Sequence, residues 1–380
     1  MKKIGVAILG LGAVGSGTYR ILSEHREFYQ KTQNVDIEVV SVLDEDRSRE
    51  EALKVPEEKI ASNIAEVVGN PDVNIVVECI GDTARAKEYV LAALNIGQTV
   101  VMSNKELCAK YSIELERVAK RHNAGLYFDA SCFGGIPTVK TLLGSLQGNQ
   151  ISTVMSTVSG SVEDAAYQLS ILSSLAFHTK VPYSRVVLEE DSISQEETEY
   201  AKRLGYRKKQ LAIGTRTDAG IEVRVQSAFV KRCHPLSKAL KGLDAVLIEG
   251  DCAGRILLAG NSDGALSTGS AIAGDILYLA THSEHKSTYT EEEAKVAAED
   301  ALSAYYLRLT AEGEGALAKT VSTLNKNHVP VVDVTQCTVD GKTVILLVTD
   351  VVRESAVKGA IEKINGTGLA TVQTLLKAVH

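Results

Sequence analysis

KKIGVAILGLGAVGSG, residues 2–17, is the stretch whose reading decides the fold. Ile4, Val6, Ile8 and Leu9 make a short apolar run, the pattern of a strand buried on both faces. Gly10, Gly12 and Gly15 follow in the G-x-G-x-x-G spacing, with Ala13 and Val14 inside the turn, and a helix is expected over 18–25. The glycines serve three physical ends, namely a tight turn, close approach of backbone to a pyrophosphate, and close packing of helix on strand. The helix start adds free N–H groups and partial positive charge for the phosphates. A tight strand–helix turn without a ligand is the plainer alternative. The position between strand and helix favours a dinucleotide.

Working outward, a polar stretch over 23–36 leads to a strand at 37–43 that ends in Asp44, Glu45 and Asp46. An acid at the end of the second strand of such a unit holds the adenosine ribose hydroxyls. Two carboxylates repel the extra phosphate of NADP, so NAD is favoured over NADP, although Arg47 and Arg49 follow closely. A strand at 74–79 delivers Cys79, Ile80 and Gly81, and a helix follows at 84–94. The next strand, 99–102, delivers Ser103, Asn104 and Lys105 before a helix at 106–122 and a strand at 125–129. This is a doubly wound parallel sheet, which binds ligands at the carboxyl ends of its strands. On residue type alone Lys105 is a surface charge; its place beside the expected nicotinamide pocket makes it a candidate proton donor.

The 380 residues suffice for two or three domains, and 44% hydrophobic with 23% charged residues is ordinary for a globular protein. A net charge of −7 without a basic block disfavours a nucleic-acid partner. No run reaches membrane-spanning length and the start lacks a leader pattern, so no membrane association is expected. Six scattered cysteines without a C-x-x-C pair read as reduced thiols of a cytoplasmic protein.

Several segments in order resemble the homoserine dehydrogenase family: GLGAVGSGTYRIL at 10–22, SNKELCA at 103–109, DASCFGGIPTVKTLLGSLQGNQI at 129–151, DAAYQLSILSSLAF at 164–177, CAGR at 252–255 and GNSDGALSTGSAIAGD at 260–275. The resemblance implies an α/β chain with an N-terminal Rossmann-type NAD-binding domain over 1–130. An α+β substrate and dimerisation domain over 131–303 and a ferredoxin-like, ACT-like regulatory domain over 304–380 would follow. The implied reaction is hydride transfer between nicotinamide and C4 of L-aspartate 4-semialdehyde or L-homoserine, a small amino-acid-derived substrate. Lys105 matches the lysine of the family's A-N-K motif, Asp164 the aspartate of its D-A-A-x-K motif, and Gly264 falls in its glycine-rich cofactor turn. Asp129, with the carbonyls of Cys132, Gly134 and Ile136, matches a site for Na+ or K+. A homodimer or higher homo-oligomer is implied. The strand and helix order βαββαβ in the last segment resembles the ACT domain, with Gln336 the candidate contact to an amino-acid effector.

The chain also departs from the family pattern. Ile151 runs through STVMSTVSGSVE straight into Asp164, without the N-G-T-x-N and G-Y-A-E-A-D-P segments. Gln168 stands where the family has a lysine, and an amide cannot exchange a proton near neutral pH. Two further readings therefore stand beside a dehydrogenase of homoserine: a catalytically impaired, cofactor-binding regulatory paralogue, or a dehydrogenase of another small aldehyde or alcohol. In the middle region a helix is expected at 165–177, a capped helix at 194–204, and strands at 210–215, 221–230 and 245–250.

Overall fold

The computed structural model describes Met1 to His380 except residues 190, 239–241, 283–291, 297–299 and 301. The chain packs as two compact units. One comprises Met1–Val154, Ser159–Val186 and Lys241–Ala294; the other comprises Met155–Val158, Val187–Leu240 and Lys295–His380.

In the first unit, β1 (Lys2–Leu9) is buried from Ile4 onward, as its apolar run requires. The turn after it opens α1 (Ala13–Glu24), earlier than expected, with Gly15 and Gly17 inside the helix. Helix propensity argues against glycine there, but packing decides, because both glycines face backbone at close range. The polar stretch that follows folds as α2 (Arg26–Gln33), which Arg26 ties to Asp36 at 2.6 Å and to Glu38 at 2.9 Å. β2 (Val35–Leu43), α3 (Arg47–Ala52), α4 (Ile64–Gly69) and β3 (Ile75–Glu78) come next. Then come α5 (Thr83–Asn95), β4 (Thr99–Met102), α6 (Lys105–Arg121) and β5 (Leu126–Tyr127).

The five strands form a sheet in the order β2-β1-β3-β4-β5, and every pairing in it is parallel. Asp82 caps α5 by accepting from Arg85 N at 2.7 Å, and Asn104 caps α6 by accepting from Leu107 N at 2.9 Å. That cap makes Lys105 the first helical residue. The expected strand at 125–129 is only two residues long, because Asp129–Ser131 turns into a 3-10 segment.

After α7 (Thr138–Lys140) and β6 (Ile151–Thr157), only Val158–Ser161 separates the strand from α8 (Val162–Phe177), which Ser161 caps. The same unit holds β10 (Asp244–Gly250) and β11 (Gly254–Gly260), an antiparallel hairpin whose second strand the sequence reading did not include. α10 (Ala265–Thr281) then returns to the first sheet. Its Ile272, Ala273, Ile276 and Ala280 join the core made by Ile4, Val6, Ile8 and Leu22.

In the second unit β7 (Val187–Leu188) and α9 (Gln195–Arg203) precede β8 (Tyr206–Thr217) and β9 (Gly220–Lys231), a long antiparallel hairpin. The C-terminal part runs β12 (Leu302–Ala311), α11 (Ala316–Lys326), β13 (Val331–Val339), β14 (Lys342–Thr349), β15 (Val352–Arg353), α12 (Glu354–Asn365) and β16 (Ala370–Val379). The strands order as β8-β9-β16-β12-β14-β13, a mixed sheet in which β9 pairs parallel with β16 and also with the short β7, while the other pairs along this order are antiparallel. The last four strands with α11 and α12 give the expected βαββαβ pattern. Tyr305, Leu307 and Leu309 pack toward the helices, while Tyr306 packs with Tyr206 and Phe229 on the opposite face. Among the described residues, no helix is long and apolar enough to cross a membrane.

Candidate functional site

The glycine turn is built by exclusion. Gly10 has φ +89°, and a Cβ there would stand 2.6 Å from Cys79 O. A Cβ on Gly15 would stand 1.8 Å from Gly10 O, so α1 reaches the turn only because this residue has no side chain. Gly12 differs: it precedes α1, and a Cβ there meets nothing within 4 Å. The protein itself does not need that space. A pyrophosphate lying on the helix start, against the N–H groups of Ala13, Val14 and Gly15, would use it, so these residues fit a dinucleotide. Gly12→Ala is expected to leave the unfolding midpoint unchanged and weaken NADH binding about tenfold or more. Isothermal titration beside thermal unfolding checks this; equal loss in both would show a structural glycine instead.

Asp44 directly follows β2, with its side chain only 4% exposed. Its Oδ2 accepts from Leu11 N at 2.5 Å and its Oδ1 from Asp46 N at 2.8 Å. The acid therefore holds the glycine turn. Arg49 lies 3.4 Å from Asp44 and 3.3 Å from Asp46, and Glu45 is paired with Arg85.

At the ends of β3 and β4 stands a residue that sequence reading passed over. Glu78 is fully buried, yet its Oε1 accepts from Ile80 N at 2.6 Å. Its Oε2 accepts from Asn104 N at 3.1 Å and Ser103 N at 3.3 Å. One carboxylate thus ties together both loops expected to hold the nicotinamide. Burial pushes its pKa up to about 7, and the three N–H groups pull against that rise. Burial likewise raises the Cys79 thiol, which points to an unreactive side chain. Asn104 Nδ2 donates to Ile80 O at 2.9 Å and Ser103 Oγ to Glu78 O at 3.0 Å, while a Cβ on Gly81 would meet only open space.

Lys105 follows directly. Its Nζ stands 3.1 Å from Asp164 Oδ2, with the side chains 33% and 42% exposed. Asp164 sits in the first turn of α8, where its N–H donates to Ser161 Oγ at 3.0 Å. The two residues expected to carry the chemistry, far apart in sequence, therefore meet. Beside them Glu106 accepts from Thr83 Oγ1 at 2.7 Å and pairs with Lys110, whose ammonium lies over the Tyr167 and Tyr183 rings. These contacts join the starts of α5 and α6 to α8.

The segment after β5 is also assembled around charge. Asp129 and Asp275 are 4% and 1% exposed, and Asp129 N donates to Asp275 Oδ2 at 3.3 Å. Lys140 Nζ lies 2.8 Å from Asp275 Oδ1 and 3.7 Å from Asp129 Oδ2. Burial pushes both carboxyls up, Asp129 to about 7. Of the other residues matched to a cation shell, the Cys132 carbonyl accepts from Thr138 Oγ1 at 3.1 Å and that of Ile136 from Thr138 N at 2.7 Å. Gly134 has φ +40°, and a Cβ there would stand 2.2 Å from Ser262 O. Gly264, at φ +115°, precedes α10, and the next carbonyl, Ala265 O, lies where a Cβ on Gly17 would sit. Gln168 offers its carbonyl to Cys132 Sγ at 3.7 Å. Where the chain is short, Ser159 Oγ donates to Asp244 Oδ2 at 2.8 Å, and Ser262 Oγ donates to the same oxygen.

Comparison with known proteins agrees with this layout. The sequence model described as homoserine dehydrogenase, NAD binding domain, matches residues 10–129, and the one described as homoserine dehydrogenase matches residues 161–277. The homoserine dehydrogenase of Corynebacterium glutamicum is 30% identical, over 99% of this chain and 94% of its own. That alignment runs to 429 positions, more than the 380 residues available here, so the relative carries segments this chain lacks. The homoserine dehydrogenase of Mycobacterium tuberculosis is 31% identical over 73% of each chain. Among solved structures, a homoserine dehydrogenase from Thiobacillus denitrificans superposes with a TM-score of 0.84 at 29% identity, covering 100% of this chain and 98% of its own. Fold, glycine turn and relatives together define a nicotinamide-dependent oxidoreductase. Within that class, the chain belongs to the homoserine dehydrogenase family.

Proposed function

We propose that the protein interconverts L-homoserine and L-aspartate 4-semialdehyde with NAD as the hydride carrier. The observation that carries this reading is the Lys105–Asp164 pair at 3.1 Å, set at the carboxyl end of β4 in the sheet whose first strand opens the glycine turn. Nicotinamide supplies or takes the hydride at C4. Gly10, Gly12 and Gly15 shape the pyrophosphate cradle, and Asp44 and Glu45 face the adenosine ribose. Cys79, Ile80, Gly81, Ser103 and Asn104 line the nicotinamide end, with Gly264 on the approach from α10. In the reducing direction Lys105 Nζ hands a proton to the carbonyl oxygen as the alcohol forms. In the other direction the same atom takes it back. Asp164 orients that ammonium and offers the substrate's own ammonium a carboxylate.

The division of labour follows the sequence: 1–130 for the cofactor, 131–303 for substrate and dimer contacts, 304–380 as an ACT-like regulatory domain. Exposed Gln336 on β13 is the proposed contact to an amino-acid effector. Six free thiols suit the reducing cytoplasm. The test is NAD-linked oxidation of L-homoserine by the purified protein, beside a titration of NADH binding. Turnover supports the reading. NADH binding without turnover would pass the site to another small aldehyde or to a regulatory role.

Cofactor choice has its own test. Arg49 and Arg85 are already engaged by Asp44, Asp46 and Glu45, so a 2′-phosphate would have to break those pairs and meet the freed carboxylates. NADH is expected to bind about tenfold tighter than NADPH, worth ~1.4 kcal/mol. Equal or tighter NADPH binding would overturn the preference.

A further inference from the structure

We propose that Lys140 is a tethered cation: its ammonium fills, between Asp129 and Asp275, the place a free monovalent ion would take. The segment 129–140 then stays closed against α10 without added Na+ or K+. The proposal does not depend on which aldehyde the site reduces.

The geometry is specific. Two almost fully buried carboxylates, one from the end of the sheet and one from α10, face a single ammonium at 2.8 and 3.7 Å. Left alone, two buried carboxylates repel each other and bear the cost of lost hydration. A cation between them removes both penalties. The chain brings its own, from α7, a few residues beyond the loop it secures. Lys140 N also donates to Asp129 Oδ1 at 3.4 Å, so backbone and side chain of one residue both hold the acid. A Cβ on Gly274 would stand 3.2 Å from Lys140 Nζ, so the small residue beside Asp275 gives the ammonium its path.

Two of the three carbonyls matched to the cation shell are engaged from within the loop. Thr138 reaches the carbonyls of Cys132 and Ile136 through its hydroxyl and its N–H. A second cation at Asp129 would sit within a few ångströms of an ammonium that the chain cannot release. The donor set therefore does not call for one. The loop matters to the site because Cys132 Sγ touches the Gln168 carbonyl, one turn beyond Asp164 on α8. Opening the segment would loosen the helix that presents the Lys105 partner.

The experiment measures unfolding midpoint and NADH dissociation constant at one ionic strength in NaCl, KCl, ammonium chloride and choline chloride. Wild type is expected to give the same values in all four. Lys140→Ala leaves the carboxylates without their counter-ion. It is expected to need a small cation, binding NADH about tenfold tighter in Na+, K+ or ammonium than in choline, or folding only in their presence. Lys140→Arg, whose fork meets both carboxylates, should behave as wild type. A specific Na+ or K+ effect on wild type would overturn the proposal, as would a Lys140→Ala protein indifferent to the salt.

Discussion

Lys105→Ala is expected to lower turnover by about 10²- to 10⁴-fold, the range spanned by removing a positioned general acid. NADH affinity should stay within about threefold, since the glycine turn carries most of the cofactor's binding groups. The reason lies in placement. Lys105 is the first residue of α6, and Asn104 fixes the helix start through its cap to Leu107 N. The side chain leaves a backbone held on two sides, and Asp164 meets its end at 3.1 Å. The Gln168 amide does not ionise near neutral pH, so it cannot take over as general acid. Asp164→Asn should reproduce part of the loss, because an amide still orients the ammonium but no longer balances its charge. Single-turnover kinetics separate hydride transfer from cofactor release. An unchanged rate for Lys105→Ala would remove the lysine from the chemistry and leave the cofactor assignment intact.

Glu78→Gln is expected to act on stability and catalysis together. The carboxylate accepts three backbone N–H groups from two loops, whereas an amide has one acceptor oxygen and turns a donor toward another donor. One such mismatch in a buried site costs about 1–3 kcal/mol. Turnover should fall as well, by about tenfold, because Ser103 and Asn104 lead directly into Lys105. The pH dependence provides a sharper test. The folded protein raises the Glu78 pKa from near 4.5 to about 7, so it binds the proton more tightly than the unfolded chain does. The stability this linkage contributes is complete below about pH 4.5 and is lost as pH rises through 7, for a total of about 3 kcal/mol. The advantage of wild type over Glu78→Gln in urea unfolding should therefore shrink between pH 5 and pH 8. A gap that is constant, or that widens with pH, would contradict this.

Much of the fold was legible because local patterns and packing agree. The run at 99–102 is a strand with those bounds, since apolar residues fill it and Ser103 and Asn104 stop it. The cap at Ser194 starts α9 as its spacing to Glu197 suggests, with Ser194 Oγ accepting from Glu197 N at 3.1 Å. Lys105 and Asp164 were legible as separate residues, and only the fold could bring them together. Glu78 was hidden inside an apolar run, although a carboxylate within a strand buried on both faces was itself the signal. Lys140 could not be found by spacing, because its firmer partner, Asp275, lies far along the chain on α10. For Asp44 the position was readable but the direction was not, and its Oδ2 turns to Leu11 N. The strand at Gly254–Gly260 went unread although Ile256 to Ala259 make a short apolar run; pairing with β10 makes it regular.

The return of α10 to the first sheet shapes how the protein can be made. Ile272, Ala273, Ile276 and Ala280 complete a core whose other members lie within the first 130 residues, and Gly17 and Gly269 let the two helices meet backbone to backbone. A ribosome delivers the sheet long before it delivers that helix. Until residue 280 has emerged, one apolar face of the nascent sheet stays open to water, to chaperones and to neighbouring chains. The nucleotide-binding part is thus first in sequence, yet it cannot close until α10 has been made. Contacts of such sequence separation slow folding, and they make the late helix the step that commits the chain.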